Sequence, residues 1–246
     1  YKRKYFPKIS KAATGLLVRQ EYMAGQVAGK YPVVKEKFHW MGEYFFDLYH
    51  PMPWEAKTGL LENLTGGIEY FLCVGMPATR ANITTVLKAF SLFKKRLKSS
   101  LRLVLALQDV SLEQCVKDFR LYKYRDDVIV INEYQQHSYP QLLAAAYAVI
   151  YMPSEITGYS ERGLPAMQSG TPVITINKPE HHLLYKDAAL FSDTDDKSIA
   201  DNMMLLYKDE ALRKDYIQKG LELTKESTLP AMANRLWQTI SVRDFK

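Results

Sequence analysis

At 246 residues, with 47% apolar and 24% charged side chains, the chain is long enough to bury a sizeable core, and no apolar run of about eighteen residues is present to span a membrane as a helix. A net charge of +6 and a pI near 9.1 fit anionic partners such as phosphates, while two lone cysteines, Cys73 and Cys115, and five scattered histidines argue against a disulfide framework and a metal module. The chain begins at Tyr1 with no cleavable signal pattern, so it reads as a piece of a longer, cytoplasmic protein.

In chain order, Gly15 to Arg19 reads as a strand, Glu21 to Lys30 as a short helix stopped before Pro32, and Lys37 to Gly42 as a second short, aromatic strand. Residues 43 to 67 hold Pro51, Pro53, Gly59 and the Gly66-Gly67 pair and no long period, and read as a connector. From Ile68 the pattern becomes regular. Apolar runs at Ile68 to Val74, Leu101 to Leu107, Val128 to Ile131, Ala148 to Met152 and Val173 to Ile176 alternate with helical stretches. The helices are expected at Asn82 to Leu97, Ser111 to Leu121, Tyr139 to Ala146, Glu161 to Ser169, Asp196 to Leu206 and Glu210 to Lys225. A last helix, about Pro230 to Ile240, has Thr228 as its N-cap candidate.

Continuous Val/Ile/Leu strands separated by amphipathic helices predict an α/β fold with a doubly wound, Rossmann-like parallel sheet. Within it, residues 148 to 176 read as a strand, a turn at Thr157-Gly158-Tyr159-Ser160, a short helix stopped by Gly170, and a second buried strand. The turn of such a βαβ unit lies at the sheet edge where open α/β sheets bind ligands, and backbone amides at a helix N-terminus hold anions.

Phe71-Leu72-Cys73-Val74-Gly75, Asn82, Tyr151-Met152-Pro153-Ser154, Gly158-Tyr159-Ser160, Ala166-Met167 and Gly170-Thr171-Pro172-Val173 occur in an order that resembles the C-terminal, donor-binding domain of retaining glycosyltransferases of the two-Rossmann, GT-B type. The resemblance covers residues 68 to 246, and residues 14 to 42 resemble the last strand-helix-strand of that family's N-terminal domain. It implies a remnant of the N-terminal domain and connector at 1–58, a Rossmann-like donor domain at 59–228 and a C-terminal helix at 229–246.

The framework matches better than the chemistry. The family's two glutamates of the turn fall, without gaps, on Thr157 and Pro165, and its diphosphate-binding arginine and lysine fall on Met76 and Ala81. A gapped pairing would place Glu161 to Pro165 on the family's glutamate segment, but the ungapped one matches Gly158-Tyr159-Ser160 and Met167 together. The resemblance implies donor-phosphate contacts at Gly75, Asn82, Thr157, Gly158, Tyr159 and Ser160. Arg80 is either a stand-in phosphate ligand or a solvated loop arginine, and Glu155 and Glu161 either replace the lost carboxylates or sit near a helix start for its dipole.

Two readings follow. One is the donor-side half of an enzyme that moves a sugar from a nucleotide-sugar to a glycan or lipid-linked glycan acceptor. The other is a degenerate, non-catalytic relative that binds a partner or ligand. No cofactor, metal or nucleic acid is expected in either. The basic cluster Lys94-Lys95-Arg96, Lys98 and Arg102 is either a solvated helix end or a peripheral membrane contact. Phe38 and Trp40 on a short edge strand point to a contact with the Rossmann domain or to a homo-oligomer through the N-terminal extension.

Overall fold

The computed structural model describes residues 2–18, 21–31, 37–42, 48–75, 80–107, 119–131, 139–153 and 163–241. They form two compact units, residues 48–224 and residues 1–47 with 225–246.

In the first unit, six described strands make one fully parallel sheet: β3 (Tyr70–Val74), β4 (Arg102–Ala106), β5 (Val128–Ile131), β6 (Ala148–Tyr151), β7 (Val173–Ile176) and β8 (Ala189–Ser192), in the order β5-β4-β3-β6-β7-β8. Every residue of β3, β6 and β7 is buried, because helices cover both sheet faces and leave no side for alternating polar residues. Leu72 lies opposite Val104 on one neighbour and Val149 on the other, which puts β3 at the centre of the core.

The helices around the sheet are α3 (Trp54–Thr65), α4 (Arg80–Leu97), α5 (Tyr139–Ala145), α6 (Gly163–Gln168), α7 (Pro179–Tyr185), α8 (Asp196–Lys208) and α9 (Glu210–Thr224). Ile83, Val86, Leu87, Phe90 and Phe93 recur at helical spacing on α4 and are buried, and α4 packs along α8 through Ile199, Ala200 and Met203. Phe71 meets the edges of Phe93 at 5.1 Å and Tyr147 at 5.7 Å, which binds sheet to helix layer.

Several expectations change. The supposed connector contains α3, whose boundaries the same residues mark: Pro53 precedes it, and Gly66 ends it in the left-handed conformation (φ 64°), donating its N–H to the Glu62 carbonyl. Its apolar period is weak because it buries only Leu61 and Thr65. The strand β8 and the short helix α7, with Pro179 in its first turn, extend the sheet unit beyond Ile176. Of the helix expected at Ser111 to Leu121, residues 111–118 lie outside the described residues and Phe119–Leu121 is a single 3-10 turn. Lys94 is neither solvated nor lipid-facing: it is buried, donates to the Ser99 and Leu101 carbonyls and lies 3.0 Å from an Asp127 carboxylate oxygen. The helix dipole explains its place at the end of α4, and Asp127 explains its burial.

The second unit contains α1 (Lys2–Ala12), β1 (Leu16–Val18), α2 (Glu21–Lys30), β2 (Phe38–Trp40) and α10 (Leu229–Ser241). The strands β1 and β2 are parallel, as the strand-helix-strand reading requires. Thr228 caps α10 by accepting the Ala231 N–H at 3.3 Å.

Candidate functional site

The chain crosses back over the sheet between β5 and β6, so β3 and β6 are neighbours whose following segments lead apart. Doubly wound sheets bind ligands outside the carboxyl ends of strands at such a reversal. Gly75 follows β3 at φ 67°, a left-handed conformation that a side chain would strain.

A cavity of about 140 Å³ opens at this edge. Its polar wall is made by Asn82 and Thr85 in the first turns of α4, Lys178 just after β7 and Thr194 just after β8. Its apolar wall is Val86, Met152, Pro153, Ile176 and Ile199. The volume resembles that of an engineered cavity of about 150 Å³ that admits benzene, so it has room for a phosphoryl group or a small ring. Asp195 fixes the wall at α8 by accepting the N–H groups of Lys197 at 2.9 Å and Ser198 at 3.0 Å.

Beside the cavity, β7 and α7 share a buried polar cluster. The Thr175 hydroxyl donates to the Tyr151 carbonyl at 2.9 Å, so at its 2.8 Å contact with His181 Nδ1 it must accept. His181 therefore carries its proton on Nδ1. The ring is 1% exposed, and burial first, then the charge of Lys178, hold its pKa down at about 4. It stays neutral at physiological pH. Tyr185 lies against the start of α6, where a Cβ on Gly163 would stand 2.5 Å from its hydroxyl oxygen, so only glycine fits there. Glu180, in the first turn of α7, keeps one carboxylate oxygen buried without a hydrogen-bond partner. Burial pushes the Cys73 thiol up to about 12 and leaves it inert. Among the described residues no three His, Cys, Asp or Glu side chains come together as a metal site, and no helix is long and apolar enough to cross a membrane.

Of the residues expected at the site, Asn82 lines the cavity and Gly75 ends the strand beside it. Arg80 begins α4, but its side chain lies outside the described ones. Glu155, Thr157, Gly158, Tyr159, Ser160 and Glu161 lie outside the described residues. The sequence reading missed Thr85, Lys178 and Thr194. Thr85 was legible as the neighbour of Asn82 one turn along the same helix face. Lys178 was legible as a cation at the carboxyl end of a recognised strand, whereas Thr194 follows a strand that was not recognised.

The family described as Glycosyl transferases group 1 matches residues 62–223, well over half of the chain. The chain belongs to this family. The O-antigen chain mannosyltransferase RfbU of Salmonella typhimurium is 32% identical over 132 residues, which is 52% of this chain and 35% of that protein. The crystal structure of HepE from Anabaena in complex with UDP and glucose superposes with a TM-score of 0.77 at 13% identity, over 96% of this chain and 65% of that one. The C-terminal domain of the glycosyl transferase group 1 protein LpcC from Francisella tularensis matches with a TM-score of 0.61 at 16% identity, over 74% of this chain and 97% of that domain. The sheet unit thus has the fold of a GT-B C-terminal domain, and this glycosyl transferase chain spans about a third of RfbU and less than two thirds of HepE.

Proposed function

We propose that the chain is the donor-side half of an enzyme that transfers a sugar from a nucleotide-sugar to a glycan or lipid-linked glycan acceptor. The observation that carries this reading is the cavity at the strand reversal, with one cation and three neutral hydrogen-bonding side chains at the carboxyl edge of the sheet. A nucleotide-diphosphate leaving group gathers negative charge in the transition state, and preorganised cations and amide donors stabilise it. The kinship with a mannosyltransferase and the fold shared with a protein crystallised with UDP and glucose support the same substrate class.

Met76, Ala81, Thr157 and Pro165, at positions where the family resemblance implies charged groups, favour a second reading in which the site binds but does not turn over. Each charge-assisted bond lost at 76 and 81 removes on the order of 1.5 to 3 kcal/mol, which puts nucleotide-sugar affinity near the millimolar range. Titrating UDP, GDP and ADP onto the 246-residue chain should shift amide resonances around Asn82, Thr85 and Thr194 with at least one of the three. If none of them moves these resonances at millimolar concentration, both the enzyme reading and nucleotide binding are lost.

A further inference from the structure

The cation in the cavity wall stands where helix capping does not call for one. Lys178 occupies the N-cap position of α7 and makes no side-chain capping bond there. Ser, Thr, Asp and Asn are preferred at an N-cap because their oxygens accept the free N–H groups of the first turn, and a lysine has no acceptor to offer. A cation at a helix N-terminus also opposes the helix dipole. Residues that break local preferences gather at functional sites. Among the described residues lining the cavity, Lys178 alone is charged.

Its neighbours suit an anion. Asn82 offers an amide and Thr85 and Thr194 offer hydroxyls, while Val86, Met152, Ile176 and Ile199 exclude water and lower the local dielectric, which strengthens any charge-assisted bond made inside. His181, in the first turn of α7, is held neutral, in part by the Lys178 charge itself, so it adds no second cation. The cavity, of about 140 Å³, has room for a phosphoryl group.

We propose that Lys178 is the cation that holds a phosphoryl group of the donor, with Asn82 and Thr85 donating hydrogen bonds beside it, in place of the charges absent at Met76 and Ala81. This assignment rests on the donor-binding reading above. It moves the phosphate-binding charge from the β3–α4 segment to the segment after β7, so the cation approaches the ligand from the other side of the strand reversal.

The test is titration calorimetry of the 246-residue chain at low ionic strength with UDP, GDP and ADP, with uridine, guanosine and adenosine as phosphate-free controls. Lys178→Met keeps the aliphatic stem and removes the charge, Lys178→Arg keeps the charge, and thermal melts verify that both remain folded. For whichever diphosphate binds, Lys178→Met should weaken affinity about tenfold or more, leave its nucleoside unchanged and reduce the salt dependence, whereas Lys178→Arg should stay within a few-fold of the unmodified chain. Equal diphosphate affinity in Lys178→Met and the unmodified chain overturns the assignment, and a simultaneous loss in Arg80→Ala would move the cation to Arg80 with donor binding intact. Equal affinity of a nucleoside and its diphosphate overturns it as well, because the phosphates would then contribute nothing. Failure of the unmodified chain to bind any of the six ligands removes the donor-binding reading itself and this assignment with it.

Discussion

Residues 48–224 and the unit formed by 1–47 with 225–246 are stabilised by different means. In the larger unit the strands β3, β6 and β7 are buried from end to end, and aromatic contacts such as Phe71 with Phe93 join the layers. In the smaller unit β1 and β2 are three residues long and only half-buried, and Trp40 remains 51% exposed. There the links are cationic. Lys37 Nζ donates to the carbonyls of Ser10, Lys11 and Ala13 at 3.2, 3.0 and 2.8 Å, closing the end of α1, and Arg235 of α10 stacks 4.5 Å from the Trp40 ring and 3.6 Å from a Glu226 carboxylate oxygen. Where strands are too short to bury a face, half-buried ammonium and guanidinium groups replace apolar burial, at a smaller and salt-sensitive gain.

The comparison can be broken most forcefully at Phe71. Replacement by alanine leaves a cavity at the centre of the sheet and should cost about 3 to 5 kcal/mol in urea unfolding followed by far-ultraviolet circular dichroism. A loss below about 1 kcal/mol would mean that the layers are not held by this packing.

His181 gives an intermediate and pH-dependent effect. An unfolded histidine titrates near its ordinary 6.5, whereas the folded ring titrates at about 4. Between these values the unfolded chain binds a proton that the folded chain does not, so the contribution is complete above pH 6.5 and is lost as pH falls toward 4. The full span is on the order of 3 kcal/mol. Urea midpoints recorded from pH 7 to pH 4.5 should fall more steeply for the unmodified chain than for His181→Gln, and parallel curves would show that the ring does not titrate in this window.

The smallest effect is expected in the smaller unit. Arg235→Ala should destabilise it by about 0.5 to 1 kcal/mol and change Trp40 fluorescence, with the circular dichroism transition of the sheet unit unchanged. High salt should reproduce part of that change in the unmodified chain. An Arg235→Ala effect as large as that of Phe71→Ala would erase the contrast between the units.

The parts of the fold that were legible in the sequence share a physical cause. Val128 to Ile131 and Val173 to Ile176 read as strands with the bounds they have, because each is an unbroken run of β-branched residues, a local property, although only Val173 to Ile176 is buried throughout. Trp54 to Thr65, Pro179 to Tyr185 and Ala189 to Ser192 escaped notice because each is short or buries few side chains, so neither period stands out. The sequence reading placed only the glycine and Asn82 at the site, although Thr85, one helix turn on, and Lys178, just after a recognised strand, were legible there too. Thr194 is an ordinary polar residue after a strand that escaped notice, and nothing nearby in sequence marks it.

By itself the sequence determined the class of this protein: alternating strands and helices, strands apolar enough for burial on both faces, and the family framework from Phe71 to Pro172. Those properties are set within single segments by composition and period. Only the tertiary structure decided that β3 sits between β4 and β6, that Asn82, Thr85, Lys178 and Thr194 meet around one cavity, and that His181 is neutral beside it. Each of these depends on where the chain crosses back over the sheet, a long-range choice that brings together the ends of strands remote in sequence and sets the burial and neighbouring charge that fix a proton on or off a ring.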